Sequence, residues 1–206
     1  MTVALIRRVV GPDSVTVDAG ANHGLILREL AKAAPRGRHY AFEPIPELAG
    51  RLARVPGAIV HGVALADYTG EATFHYLPHR DAESSLYVRP DRTADQQVIE
   101  LTVPVARLDD VLPDTEPVDF IKIDVEGAQA ALLRGAGEVL KRSRPVIVME
   151  CHVDELAEAA DILEQADLHV WLIDDYLSGT RRVRREVEQR AHAQGEWYFV
   201  AAPLTP

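Results

Sequence analysis

The sequence predicts an α/β fold: a mostly parallel sheet of seven strands, helices on both faces, and an inserted hairpin with a lid. Two observations carry this. Short apolar runs alternate along the chain with segments of helical period, as repeated strand–helix–strand units require. One run, Val146–Met149, is apolar at every position, as expected of a central strand covered on both faces.

The elements follow in order. Strands are expected at Ser14–Asp18, Arg38–Glu43, Ala58–Val63, Val118–Asp124, Pro145–Glu150, Leu168–Asp174 and Glu196–Ala201. Leu27, Leu30, Ala31 and Ala34 form a helical stripe after the first strand, and Leu156, Ala159, Ala160 and Leu163 form another. A third helical stretch from Ala128 to Leu140 is expected to break at Gly135 and Gly137. The stretch before Val118 is too long for a simple connection. Within it Glu71–Leu77 and Val98–Val105 read as a hairpin, and the polar segment between them as a functional lid. The expectation is one domain over residues 1–206, with 67–117 inserted and 78–97 as lid.

A chain of 206 residues with 47% hydrophobic and 26% charged residues has enough core to fold without staples. The single cysteine, Cys151, excludes a disulfide framework and is expected to be an inert thiol beside the core. No run approaches a membrane span, and Arg7 and Arg8 interrupt the first apolar stretch, so a cytoplasmic location is expected. The net charge of −10 disfavours nucleic-acid backbones as partners. The arginine-rich stretch from Arg181 to Arg190 reads as a solvated connecting segment. Oligomeric state is left open.

Chemistry concentrates at the carboxyl ends of the expected strands, where open α/β sheets bind ligands. Asp18-Ala19-Gly20-Ala21-Asn22-His23-Gly24 joins the first strand directly to a helix. Its glycines permit a tight turn and close approach, and the helix start offers free N–H groups to a carboxylate. The spacing departs from the three-glycine dinucleotide fingerprint. Asp18 suits an ammonium group, so the turn favours an amino-acid moiety. Glu43, before Pro44 at the end of the second strand, stands where an acidic side chain reaches ribose hydroxyls. An amino acid at one turn and a ribose at the next describe S-adenosylmethionine.

Four segments in order resemble the FkbM family of class I methyltransferases: Asp18–Gly24, Ala41–Pro44, Val103–Asp110 and Ile121–Ala128. Gly62 stands where that family usually has Asn. The resemblance implies a Rossmann-like class I methyltransferase fold with an antiparallel last strand, and O-methylation of a small-molecule or glycosidic acceptor. It implies that Asp18, Gly20, Ala21, Asn22 and Gly24 line the methionine end of the cofactor. Glu43 and Pro44 would hold the ribose, Val63 and Ala64 the adenine, and Asp124 the sulfonium end. The signature of many amino-group methyltransferases is absent at Asp124, which favours oxygen over nitrogen.

Deprotonating a hydroxyl calls for a base. The candidates are Asp124 and Glu126 at one strand end and Glu150 and His152 at the next, with His152 preferred because histidine changes charge nearest neutrality. The same four residues could hold Mg²⁺ through oxygen ligands, although Lys122 and backbone donors could neutralise the carboxylates instead; metal dependence is not expected. His79, Arg80, Ser84, Ser85, Tyr87 and Arg89 are lid candidates for touching the acceptor. The alternatives are an NAD-type oxidoreductase on the same fold and a non-enzymatic relative that binds the cofactor.

Overall fold

A computed structural model describes residues 1–87 and 97–204. Ten strands form two sheets: β1 Val15–Ala19, β2 Arg38–Phe42, β3 Ala58–His61, β4 Ala64–Leu65, β5 Gly70–Tyr76, β6 Ile99–Ala106, β7 Phe120–Ile123, β8 Val146–Glu150, β9 His169–Leu172 and β10 Tyr198–Ala202. The larger sheet has seven strands in the order β3-β2-β1-β7-β8-β10-β9. β3, β2, β1, β7 and β8 run parallel, and β10 runs antiparallel to both its neighbours. The strand order reverses between β1 and β7, which opens a crevice at their carboxyl ends.

Helices cover both faces. On one side lie α1 Thr2–Val9, α2 Leu25–Ala33 and α8 Ile173–Ser178. Leu5, Ile6, Leu30 and Ile173 pack there against Phe120, Val148, Trp171 and Val200. On the other side lie α5 Gln129–Arg134, α6 Gly137–Ser143, α7 Val153–Glu164 and α9 Arg184–Gln194. Their Leu132, Val139, Leu156, Leu163 and Val187 meet Val17, Ile121, Ile147 and Phe199. α3 Pro46–Leu52 follows β2, and the short α4 Leu108–Val111 follows β6.

The expected hairpin is present: β5 and β6 pair antiparallel from Gly70 opposite Val105 to Tyr76 opposite Ile99. β4 adds to β6 in parallel, completing a three-stranded sheet that packs Phe74, Val103 and Val105 against Leu48 of α3 and Ala131 of α5.

Three local expectations change, and one element, α1, had no assignment from sequence. The strand expected at Leu168–Asp174 stops at Leu172, and Ile173–Ser178 is helical, with Asp174 and Asp175 in its first turn where acidic groups oppose the helix dipole. The strand expected over Ala58–Val63 ends at His61, and Ala64–Leu65 pairs in the smaller sheet. The arginine-rich stretch is largely helix α9 rather than a solvated connection. Arg182 and Arg190 both bind the buried Asp175, and Arg184 spans Asp161 and Glu188. The amino-terminal residues form α1, with Arg7 and Arg8 in its favoured last turn. Among the described residues no helix is long and apolar enough to cross a membrane.

The side of β1 facing α1 and α2 carries Thr16 and Asp18, both fully buried. Thr16 is satisfied by His39, whose Nε2–H donates to the Ala34 carbonyl at 3.1 Å, leaving Nδ1 to accept from the Thr16 hydroxyl at 2.8 Å. Only the bond accepted at Nδ1 needs the neutral ring. Burial lowers the His39 pKa below its ordinary 6.5, and burial does the same to His61. The unfolded chain therefore binds protons that the folded one refuses. Their stabilising effect is complete above pH 6.5 and lost as pH falls through and below that value. The melting temperature is expected to drop as pH is lowered from about 7 to about 5, each histidine contributing at most about 1.4 kcal/mol per pH unit. His39→Leu should lower stability at neutral pH yet flatten that slope. An unchanged slope in the variant would contradict the assignment.

Candidate active site

The first turn is built by backbone before any side chain acts. Gly20 N and Ala21 N both donate to the Phe42 carbonyl at 3.0 Å, tying the turn to the end of β2. Asn22 adopts φ +46° and Gly20 φ +72°. A Cβ on Gly20 would sit 1.9 Å from the Asp124 carbonyl oxygen, so only glycine lets the ends of β1 and β7 pack back to back. Gly24, in the left-handed region, precedes α2 and packs against Leu52.

Glu43 closes the space between the turns of β1 and β2. Its carboxylate is buried and accepts from Asn22 N at 2.8 Å through Oε2 and from Ile45 N at 2.9 Å through Oε1. Burial raises its pKa against those two N–H groups. Each oxygen keeps a further acceptor position.

A cleft of about 620 Å³, open to solvent on one side, runs along these turns. Gly20, Asn22, Glu43, Pro44, Val63, Ala64 and Asp124 line it, so seven of the sequence-derived cofactor residues share one surface. Phe42, Leu65 and Phe74 add an apolar wall. Its roof is the described part of the expected lid. Asp81, Ala82, Ser84, Ser85 and Leu86 face the cleft. The roof is fastened at both ends: His23 Nε2 lies 2.8 Å from Asp81, and the Ser85 hydroxyl donates to the Glu126 carbonyl. Ser84 and Ser85 are buried and hold the loop itself, Ser84 accepting from Leu77 N. Arg89 lies outside the described residues.

Three predicted cofactor residues stand behind this surface. Ala21 is buried in the small core between α2 and α3. Gly24 shapes the start of α2. Asp18 is fully buried, and its counter-charge is internal: Lys122, directly opposite on β7, puts its ammonium 3.4 Å from Oδ1. Neither Asp18 oxygen finds a hydrogen bond of ordinary geometry among the described residues. The same ammonium lies 2.6 Å from the Gly20 carbonyl, 3.4 Å from that of Ala19 and 3.3 Å from Asp124 Oδ2. Burial raises the Asp18 pKa. It works to lower that of Lys122, but the charges of Asp18 and Asp124 hold the ammonium above the ordinary lysine value.

A second cleft adjoins the first and shares Asp124 and Ala82 with it. Arg80, Glu83, Glu126, Glu150 and Trp197 complete its walls. Three of the four expected catalytic residues thus meet here. His152 is not among the lining residues; its ring packs against Trp197 with centroids 4.3 Å apart. Among the described residues no group of three or more His, Cys, Asp and Glu side chains is gathered tightly enough to hold a metal ion, so these four residues do not form the Mg²⁺ cluster considered from sequence. Cys151 is buried, and burial pushes its thiol up to about 12, fitting an inert group.

Two residues escaped the sequence reading. Trp197 directly precedes β10 and Tyr198 begins it, opposite Glu150. Burial and the neighbouring Glu150 carboxylate raise the Tyr198 pKa. Lys122 was legible only as a neutralising charge, although a lone lysine inside the apolar run Phe120–Ile123 is itself a signal.

Comparison with known proteins agrees with this geometry. The methyltransferase FkbM domain matches residues 18–174. The 2-O-methyltransferase NoeI of Sinorhizobium fredii is 28% identical over 149 residues, which cover 65% of this chain and 61% of that protein. Methyltransferase sdnD of Sordaria araneosa is 30% identical over 155 residues, covering 59% of this chain and 60% of its own. The chain thus spans about three fifths of the length of either relative. A crystal structure of an FkbM methyltransferase from Methylobacillus flagellatus superposes with a TM-score of 0.56 at 17% identity, over 78% of this chain and 40% of the other. Strand order, the two ligand-facing turns and the extent of the matched domain converge: the fold is the Rossmann-like class I methyltransferase fold, and the chain belongs to the FkbM methyltransferase family.

Proposed function

We propose that this chain transfers a methyl group from S-adenosylmethionine to a hydroxyl of a small-molecule or glycosidic acceptor. Glu43 carries the reading. Its buried carboxylate bridges the turns after β1 and β2 and keeps acceptor positions for ribose hydroxyls within the cleft that both turns line. Membership of the FkbM family supports it, and so does the name of the relative NoeI, a 2-O-methyltransferase. The overall charge of −10 favours a small acceptor over a nucleic acid.

When bound, the cofactor supplies a methyl group already activated by positive sulfur. The chain's own residues position and exclude. Glu43 and Pro44 would hold the ribose, and Val63, Ala64, Leu65 and Phe74 would flank the base. Gly20, Asn22 and Asp124 would meet the methionine end, with Asp81 to Leu86 as the roof that keeps water out. The acceptor would enter through the second cleft, so that its hydroxyl comes past Asp124 toward the first. Holding two reactants in attack geometry supplies about 7–11 kcal/mol.

The proton of the hydroxyl needs a destination. Asp124 is engaged by Lys122 at 3.3 Å, and His152 stands behind Trp197 rather than on the cleft wall. Glu150 lines the second cleft, opposite the neutral Tyr198 on β10. We therefore assign the base to Glu150, with Glu126 beside it on the same wall.

Two experiments test this. Titration calorimetry with S-adenosylhomocysteine should give saturable binding to the wild-type chain, and Glu43→Gln should weaken it at least tenfold, a loss of about 1.4 kcal/mol. Binding of NAD⁺ in its place would return the chain to the oxidoreductase reading. Once an acceptor is found, Glu150→Gln is expected to lower kcat by roughly 10²–10⁴ with cofactor affinity intact, as loss of a base does. His152→Ala should keep most of kcat. The reverse pattern would restore His152 as the base.

A further inference from the structure

We propose that Lys122 is a positioning residue for the methionine end of the cofactor, holding the Gly20 carbonyl and the Asp124 carboxylate where that end would meet them. The inference rests on the cofactor reading above. It stands on four distances from one ammonium group. Lys122 Nζ lies 2.6 Å from Gly20 O, 3.4 Å from Ala19 O, 3.4 Å from Asp18 Oδ1 and 3.3 Å from Asp124 Oδ2.

The group is placed to act on the cleft without entering it. Its side chain is 11% exposed, and it approaches from behind, through the sheet position opposite Asp18. Gly20 and Asp124 line the cleft, whereas Lys122 does not. An ammonium carries three N–H donors and no acceptor. Here they serve two carbonyls while the charge pairs with two carboxylates at the ends of β1 and β7, so one cation ties the first turn to the loop after β7.

The adenosine end is fastened by different means. Glu43 accepts from Asn22 N and Ile45 N, and Val63 and Ala64 reach the cleft from the segment joining β3 to β4. None of these hydrogen bonds involves Lys122, whose charge acts on Glu43 only after burial and the two N–H donors. Removing the ammonium should therefore loosen one end of the cleft and spare the other. A residue that merely held the fold together would weaken both.

The experiment compares two ligands on purified full chain by titration calorimetry. S-adenosylhomocysteine has the amino-acid tail, and 5′-methylthioadenosine has the nucleoside and sulfur without it. In Lys122→Met the affinity for S-adenosylhomocysteine is expected to fall at least tenfold while that for 5′-methylthioadenosine stays within twofold of wild type. Leaving Asp18 buried without its counter-charge is strongly destabilising; where Lys122→Met fails to fold, the double variant Asp18→Asn/Lys122→Met removes both charges and decides the matter. It should show the same selective loss. Wild-type affinity for S-adenosylhomocysteine in the double variant would mean that Lys122 only neutralises Asp18, and would overturn the proposal. Equal loss of both ligands would overturn it as well, by revealing a general loosening. Should the wild-type chain itself fail to bind S-adenosylhomocysteine, the cofactor reading falls first and takes this inference with it.

Discussion

A carboxylate and an ammonium lie side by side in the middle of a parallel sheet, Asp18 on β1 and Lys122 on β7, in register and on the same face. Taking two charges out of water costs several kcal/mol per ion, and attraction between them repays that only with good geometry and further hydrogen bonds. The further bonds here come from the Ala19 and Gly20 carbonyls, which the strand end turns toward the ammonium. This constrains everything nearby. The Gly20 carbonyl must point inward, the residue must be glycine because Asp124 O occupies the Cβ position, and the loop after β7 must run directly against the first turn. The floor of the cleft is therefore fixed by a pair that does not line it.

On that floor the two ends of the cleft are held differently. Toward β2 and the smaller sheet the walls are apolar, from Phe42, Val63, Leu65 and Phe74, with one buried carboxylate, Glu43, among them. Toward β7 and β8 the walls become charged, with Asp124 shared between the two clefts and Glu126 and Glu150 beyond it. An apolar slot with a few placed polar groups suits a nucleoside. A row of carboxylates suits a positive sulfur and a hydroxyl about to lose its proton. The roof from Asp81 to Leu86 overlies the first, and Glu83 and Arg80 of the same segment border the second. One short stretch of chain thus faces both.

Most of this arrangement was legible in the sequence because parallel core strands are written as apolar runs, and their ligand-facing ends as the residues that interrupt them. Asp18, Glu43, Asp124 and Glu150 are such interruptions, and each stands at a strand end, within it or one residue beyond. The missed elements lacked a long enough period. α1 and α8 are short helices of 8 and 6 residues whose apolar positions read equally well as strand. α9 is so rich in arginine that only Val187 and Ala191 face the core, a stripe too thin to separate from a solvated segment. Asp18 was assigned to the ligand because sequence shows a strand's end but not its neighbour. Whether a carboxylate there faces a ligand or a lysine depends on which strand lies alongside. The surroundings of His152 were hidden for a related reason: Trp197, against which its ring packs, lies forty-five residues later in the chain.

The position of Lys122 also decides how the remaining carboxylates can divide the chemistry. A carboxylate held 3.3 Å from an ammonium is partly neutralised, and taking up a proton would set that attraction aside. Asp124 is therefore better suited to accept a hydrogen bond than to carry a proton away. Glu150 lines the second cleft and lies opposite a neutral residue, Tyr198. A proton taken up by Glu150 on the proposed reading breaks no ion pair with that neighbour. The two groups sit at the ends of adjacent parallel strands, β7 and β8, so the distance between them is set by strand spacing rather than by a flexible loop. On the proposed reading the buried lysine does more than stabilise a sheet: by engaging one carboxylate of the cleft it leaves the proton to the next.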